Sequence, residues 1–481
     1  MLALPLAVGV SVVLARTLGP EGFARFALLS FVVPLVFAVT DLGVSQAATR
    51  EASRAFAAGD LAGTRALLGK VLGWNLLRFP ILCPLTLLLV GGSTVASVAI
   101  ASYLLFALGA AGVNLSLNAE NRVAVLAKVS FAQALAAAGV SIGAAAAGAS
   151  PETIFALSLA SGAVAAPLWL FTTSPQLRRA ALAPRLPRGL GVGFWRYGLT
   201  ALAVSLLTLL VFSRSEVVLL DLFEEQRALA VFALAYGLAQ RLTTPVDTLL
   251  GPLVPALAAL DAAHPERLQA GFDRALRLAA TAVAFLAASA VAGMVFLAPF
   301  LFGAEYEDVG LAFAALAGIS LFQSAAQPYT ALVYAVGRPQ IALRALAVAL
   351  VVDTGIAVAL IPPLGLWGAI VANAAGALVA IVLAARAVAG KGSVRLAGVA
   401  APRLVLVTIV SAALSAGAGL LASPLHPLAA TAAAVLLGTV SFVVGARLAG
   451  GLVTGGDARV VGEALPQPLA RVFGLLVRPA G

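Results

Sequence analysis

The sequence predicts an all-α polytopic membrane protein of about 14 transmembrane helices, built as two pseudo-symmetric six-helix lobes in parallel repeat plus two C-terminal helices. Three observations predict it. Of 481 residues, 62% are hydrophobic and only 10% charged, where a soluble chain carries about a quarter charged. Apolar runs of about 18–25 residues recur along almost the whole length, each long enough to cross roughly 30 Å of hydrocarbon. The third observation is that the two halves repeat one another in order.

Cutting the chain at polar and Gly/Pro breaks places the helices near 1–16, 23–46, 71–91, 94–118, 124–147, 152–174, 197–220, 228–250, 278–301, 311–335, 345–361, 365–385, 404–422 and 428–447. The first, "MLALPLAVGVSVVLAR", has no basic n-region and leads into "TLGPEGF", a poor cleavage context, so it reads as a membrane helix and not a signal peptide. Its shortness leaves room for the native start to lie upstream. Residues 1–175 are expected to form the N-terminal lobe, 176–196 a basic cytoplasmic linker and 197–385 the C-terminal lobe. Helices 13–14 occupy 386–448, and 449–481 is a cytoplasmic tail.

Orientation follows from alternate gaps between helices. One set, including "TREASRAFAAGDLAGTRALLGK", "LRRAALAPRLPRGLGVGFWR", "GRPQIALR" and the tail, holds 24 Lys/Arg against 8 Asp/Glu. The other, including "DLFEEQR" and "GAEYEDVG", holds 3 Lys/Arg against 8 Asp/Glu. The basic side is the cytoplasmic one, which puts both termini in the cytoplasm of a cell whose inner membrane the chain crosses many times. The net charge of +10 is thereby spent on topology, and no nucleic-acid partner is implied. Cys83 is alone in an apolar run, and the two histidines, His264 and His426, lie in loops. No disulfide framework or metal centre is expected from them.

The repeat is visible in two places. "VVLARTLGPEGFARFALLSF" begins at Val12 and "VVLLDLFEEQRALAVFALAY" at Val217; "TRALLGK" and "DRALRLA" match further on. The displacements are 205 to 209 residues. An offset of six helices preserves membrane orientation, which is the parallel-repeat arrangement of one class of transporters.

Seven ionisable residues remain inside apolar runs: Asp41, Arg78, Arg214, Glu216, Arg241, Asp247 and Asp353. A charge at a helix centre costs roughly 2.5–3.5 kcal/mol on insertion scales and is a functional candidate by default. At about 1.5 Å of rise per residue, Asp41 lies near the cytoplasmic face, and Arg214 and Glu216 near the outer interface. Arg241 lies about 20 Å from the outer end of its helix, and Arg78 and Asp353 roughly 12 Å into theirs. Arg214 and Glu216 read either as a rim pair or as the mouth of a cavity. Arg241 faces a watery cavity or an interhelical partner; Asp247, six residues on and about 240° further round the helix, is not that partner. Arg78 and Asp353 stand open between structure and site, and Asp41 leans structural within the "TDLG" helix end.

These residues, with "LARTLGPEGFARFAL", "DLGVSQAATREA", "SRSEVVLL", "VFALAYGLAQRLTTPVDTLLGPLVPAL", "LFGAEYEDVGLAF" and "YAVGRPQIALRALAVALVVDTGIAVALIPPLGLWGAIVANAAGALVA", resemble the multidrug/oligosaccharidyl-lipid/polysaccharide exporter superfamily. Within it they are most similar to the bacterial polysaccharide (O-antigen-type oligosaccharide) flippases. The resemblance implies two six-helix lobes in a V around a central cavity. It also implies that undecaprenyl-pyrophosphate-linked glycan passes from the cytoplasmic to the periplasmic leaflet by alternating access. By position, Arg16 of "ARTLG", Arg214 of "SRSE" and Arg241 of "AQRLTTP" match cationic positions of such flippases, and Arg241 also resembles a helix-8 arginine of the lipid II flippase branch. Arg78 joins them as a candidate substrate-binding cation. Glu216, Asp353 and Asp41 are candidates for ion coupling or charge pairing.

The implied partners are the lipid-linked glycan, membrane lipid and glycan-assembly proteins, with no cofactor. The chain reads as a transporter and not an enzyme: no covalent step is required, and no G-x-x-x-x-G-K-[ST] loop is present. The alternatives are a lipid II flippase and a cation-coupled multidrug antiporter of the same superfamily. A glycan polymerase would carry a long outer catalytic loop, and the longest outer gap here is under about a dozen residues.

Overall fold

The computed structural model describes residues 3–120, 122–211, 215–223, 225–250, 265–335, 339–389 and 401–449, with a few isolated positions between 253 and 260. The described secondary structure is entirely helical, as the absence of any lipid-compatible alternative to helices other than a closed barrel demands. The helices are α1 (Ala3–Asp41), α2 (Val44–Ala57), α3 (Leu61–Val90), α4 (Thr94–Ala119), α5 (Val123–Ala146), α6 (Pro151–Thr172), α7 (Pro175–Ala181), α8 (Val192–Leu209) and α9 (Ser215–Leu222). They continue with α10 (Gln226–Leu250), α11 (Leu268–Leu286), α12 (Ala292–Phe302), α13 (Val309–Ala335), α14 (Pro339–Leu364), α15 (Leu366–Ala389), α16 (Ala401–Ala422) and α17 (Pro427–Leu448). Ten stretches among the described residues are long and apolar enough to span a membrane. One of them, Pro5–Asp41, merges most of the first two expected segments.

Four boundaries differ from the sequence reading, each for a physical reason. The outer loop expected after residue 16 is only a kink: Gly19 (φ 66°, ψ 178°) leaves helical geometry just before Pro20, and the helix resumes at once. The corresponding point of the second repeat is a true helix end, where α9 stops at Leu222 and α10 starts at Gln226. The expected segment 197–220 is divided. After α8 the backbone adopts a π turn at Leu210–Val211, and α9 begins at Ser215. Finally, α3 and α11 start ten residues before their expected segments, at Leu61 and Leu268. Their amphipathic first turns keep the helical period without a breaker, and Asp60 Oδ1 caps α3 by accepting from the Gly63 amide at 2.8 Å.

The chain divides into two compact units, residues 1–206 and 207–481, with α8 running through the division. In the first unit one core joins α2, α3, α4, α5, α7 and the start of α8 around Val44, Ala48, Leu68, Leu177 and Phe194. A second joins α1, α3, α4 and α6 around Leu29, Val33, Leu82, Ile100 and Phe155. Between α1 and α2 the chain turns through Leu42 (φ 52°) and Gly43 (φ 74°). A Cβ on Gly43 would sit 2.0 Å from the Gly198 carbonyl oxygen, so the glycine of "TDLG" is required by both backbone and space.

In the second unit the first half of α10 is closely enclosed. Leu229, Ala230, Val231, Phe232, Leu234, Ala235, Tyr236, Leu238 and Ala239 are all buried, a run with no solvent face. It packs against α9, α11, α13 and α15. The last helix, α17, buries Ala430, Ala434, Gly438, Phe442 and Ala446 at strict four-residue spacing, a small-residue seam of the kind that lets membrane helices approach. Leu436 and Leu448 on its other side are exposed, where lipid tails satisfy them.

Candidate functional site

Three groups of polar side chains are held within the apolar units. The first joins α1, α2 and α3. Asp41 ends α1, and its Oδ2 accepts from the Ser45 amide and its Oδ1 from the Ser45 hydroxyl, both at 2.9 Å, which caps the start of α2. From α3, Arg78 Nη1 donates to Asp41 Oδ1 at 3.2 Å and to the Phe37 carbonyl at 3.3 Å. The pair is largely sequestered, with side-chain exposures of 14% and 13%. Arg78, expected among the substrate cations, is thus engaged with Asp41 in the turn between the first two helices.

The second group lies in the other unit, between α9, α14 and α15. Glu216 and Asp353 are both fully buried, with Asn373 at 1% and Ser215 at 7% exposure. Ser215 Oγ donates to Asp353 Oδ2 at 2.6 Å. Glu216 faces Asp353 and the Asn373 amide. Yet, among the described residues, both Glu216 oxygens, Asp353 Oδ1 and Asn373 Nδ2 fall short of hydrogen-bonding geometry with any partner. Gly376, one turn beyond Asn373 on α15, makes the approach of α14 possible: a Cβ there would lie 2.8 Å from Asp353 Cβ. Burying a carboxyl without partners is costly, and two facing each other are costlier. Chemically the cluster is a set of bare oxygens arranged to take a proton or a small cation.

Glu216 is thus enclosed by protein, six residues before the end of α9 at Leu222. α9 is a separate short helix that packs against α14 and α15. Arg214, its expected companion, lies outside the described residues. Asp353 sits fourteen residues into α14, about 21 Å at the helical rise, because that helix begins at Pro339 and not at 345.

The third group surrounds a cavity of about 360 Å³ formed by α8, α10, α13, α14 and α15 within the second unit. Its polar wall comes from α10 and α13 and its apolar wall from α14 and α15. Asp247 accepts from Thr243 Oγ1 and Ser324 Oγ at 3.1 Å each and from Gln327 Nε2 at 2.6 Å. Asp247 stands out in the sequence as a charge in an apolar run, but nothing local joins it to Ser324 and Gln327, 77 and 80 residues on. Arg241 is on the same helix, half-buried and outside the cavity lining, with its guanidinium Nη1 beside Gly237 one turn earlier. Arg16 is exposed on α1, shortly before the Gly19 kink.

The geometry agrees with what comparison reveals. The structure is similar to that of the lipid II flippase MurJ in an inward closed conformation, with a TM-score of 0.64 at 12% identity over 93% of this chain and 96% of that one. It is similar to an inward-facing multidrug resistance MATE transporter of the MOP superfamily, with a TM-score of 0.57 at 17% identity over 79% and 92% of the two chains. A eukaryotic MATE transporter gives a TM-score of 0.50 at 14% identity over 81% and 96%. At such identities the likeness is one of fold. No curated protein matches the sequence. The profile of the family described as "polysaccharide biosynthesis protein" matches residues 13–310, more than half of the chain, and this multi-pass membrane protein with the fold of the MOP superfamily belongs to that family.

Proposed function

We propose that the chain is a flippase for undecaprenyl-pyrophosphate-linked glycan, carrying it from the cytoplasmic to the periplasmic leaflet of the inner membrane by alternating access. The observation that carries this reading is Arg241, a half-buried guanidinium retained on the membrane-embedded α10 of a chain whose family serves polysaccharide biosynthesis. A pyrophosphate crossing hydrocarbon needs a compensating cation, and the planar fork of arginine matches phosphate oxygens two at a time. Arg16 and Arg214 are the further cations of this reading. Arg78, paired with Asp41, holds the α1–α2 turn instead. The lipid tail remains in the bilayer, so no covalent chemistry is needed.

Energy enters, in this account, at the Glu216–Asp353 cluster. A proton or a monovalent cation taken up between the carboxyls offsets their like charges and changes how tightly α9 packs on α14 and α15. The same cluster supports a second reading, a cation-coupled antiporter, since facing buried carboxyls suit ion exchange whatever the cargo. Complementation separates the two. In cells depleted of the native protein, Arg241→Ala should reach normal membrane levels and fail to restore glycan export, while Arg241→Lys restores part of it. Full export by Arg241→Ala would remove Arg241 as the anchor, and cationic-dye efflux that depends on Glu216 with no effect on glycan would favour the antiporter.

A further inference from the structure

We infer that the α10–α13 cavity is a binding subsite for one neutral sugar unit of the transported glycan. This rests on the flippase reading and adds which part of the cargo is held, and where. At about 360 Å³ the cavity falls at the lower end of the range for small-molecule sites, enough for a single pyranose and its water. Its two walls differ in the way a sugar ring differs across its faces. Gln240, Thr243, Asp247, Gln323 and Gln327 supply amides, hydroxyls and a carboxylate on one side, and alanines with Leu346 and Ile381 supply an apolar floor on the other. Ring hydroxyls meet the first and ring C–H groups the second.

The electrostatics select against charged ligands of either sign. No lysine or arginine is among the described lining residues, and the Asp247 carboxylate repels phosphate. A cation would need bare oxygens, whereas Asp247 is already ringed by three neutral donors, Thr243, Ser324 and Gln327. A carboxylate has about four lone-pair sites, so one remains to accept a ligand hydroxyl. Gln323 completes the pattern. Its Nε2 is buried with no hydrogen-bond partner among the described residues, so a turn of this lining amide brings an unsatisfied donor to a ligand acceptor. A sugar hydroxyl or an acetamido carbonyl is such an acceptor.

The test uses the purified full chain in lipid nanodiscs and two probes. One is undecaprenyl pyrophosphate; the other is the lipid-linked glycan pool extracted from cells depleted of this protein. The reading is the ratio of affinities for the two. Gln323→Leu removes an amide whose nitrogen supports no internal hydrogen bond, so packing is retained; Thr330→Val is a second, nearly isosteric change in the wall. The wild type should prefer the glycan-bearing lipid by about tenfold or more, and each variant should lose most of that preference, as expected for one good hydrogen bond. Affinity for the bare lipid pyrophosphate should not move. A wild type without preference, or variants that keep it, would overturn the sugar subsite alone. A wild type that binds neither probe would overturn the flippase reading and the subsite with it.

Discussion

At the scale of single residues, two carboxylate sites behave differently because their surroundings do. Asp41 is satisfied three times over, by Arg78 and by the amide and hydroxyl of Ser45. Arg78→Leu should therefore lower the thermal stability of the solubilised protein, by roughly 3 kcal/mol, because it strips a sequestered carboxylate of its cation. Adding Asp41→Asn should recover part of that loss, and melting curves of the single and double variants check it. Glu216 and Asp353, by contrast, lack partners among the described residues for three of four oxygens. Glu216→Gln and Asp353→Asn should each leave the melting temperature unchanged or raise it while abolishing the dependence of transport on an ion gradient. Transport assays under imposed proton and sodium gradients check that dissociation. Each of these residues was visible in the sequence as a charge among apolar neighbours. Their pairing was not, since Ser215 and Asp353 are 138 positions apart and Asp41 and Arg78 37 apart, and nothing local says which helices meet.

At the scale of elements, the apolar runs located nearly every helix interior, and polarity hid several ends. The first ten residues of α3 and α11 are amphipathic, so a search for lipid-length apolar runs stops short of them although the helical period continues. The Gly19 kink reads as a loop because "GPEG" is turn chemistry; in the structure Pro20 occupies the first position of a resumed helix. The turn after α1 was legible from "TDLG". Gly43→Ala should cost more than about 1 kcal/mol, since it places a Cβ at positive φ and 2.0 Å from the Gly198 oxygen. Reduced yield and a lower melting temperature, with the position of the α3 helix unchanged by cysteine labelling, are the expected outcome. At Gly376, Gly376→Val should wedge α14 from α15 and impair ion coupling before it impairs folding, because its nearest neighbour is the Asp353 side chain itself.

At the scale of the whole molecule, charge placement carries the orientation and the repeat carries the architecture. What the order of segments made legible is the all-helical, many-span class, because the bilayer forbids most alternatives. What composition could not supply was the polar interior, where Gln323, Gln327 and Asp247 come from different helices to line one cavity. The orientation predicts that, in a Cys83→Ser background, Glu307→Cys is labelled by an impermeant maleimide from the periplasm and Arg54→Cys only after the inner membrane is opened. The central claim is that this chain moves a lipid-linked glycan across the membrane. It is tested most directly by depleting the protein in its native cell and analysing lipid-linked glycans by mass spectrometry, with the leaflet assigned by impermeant labelling. Accumulation of a complete lipid-linked glycan on the cytoplasmic face is the predicted result. Lipid-linked glycans unchanged in amount and leaflet would contradict it.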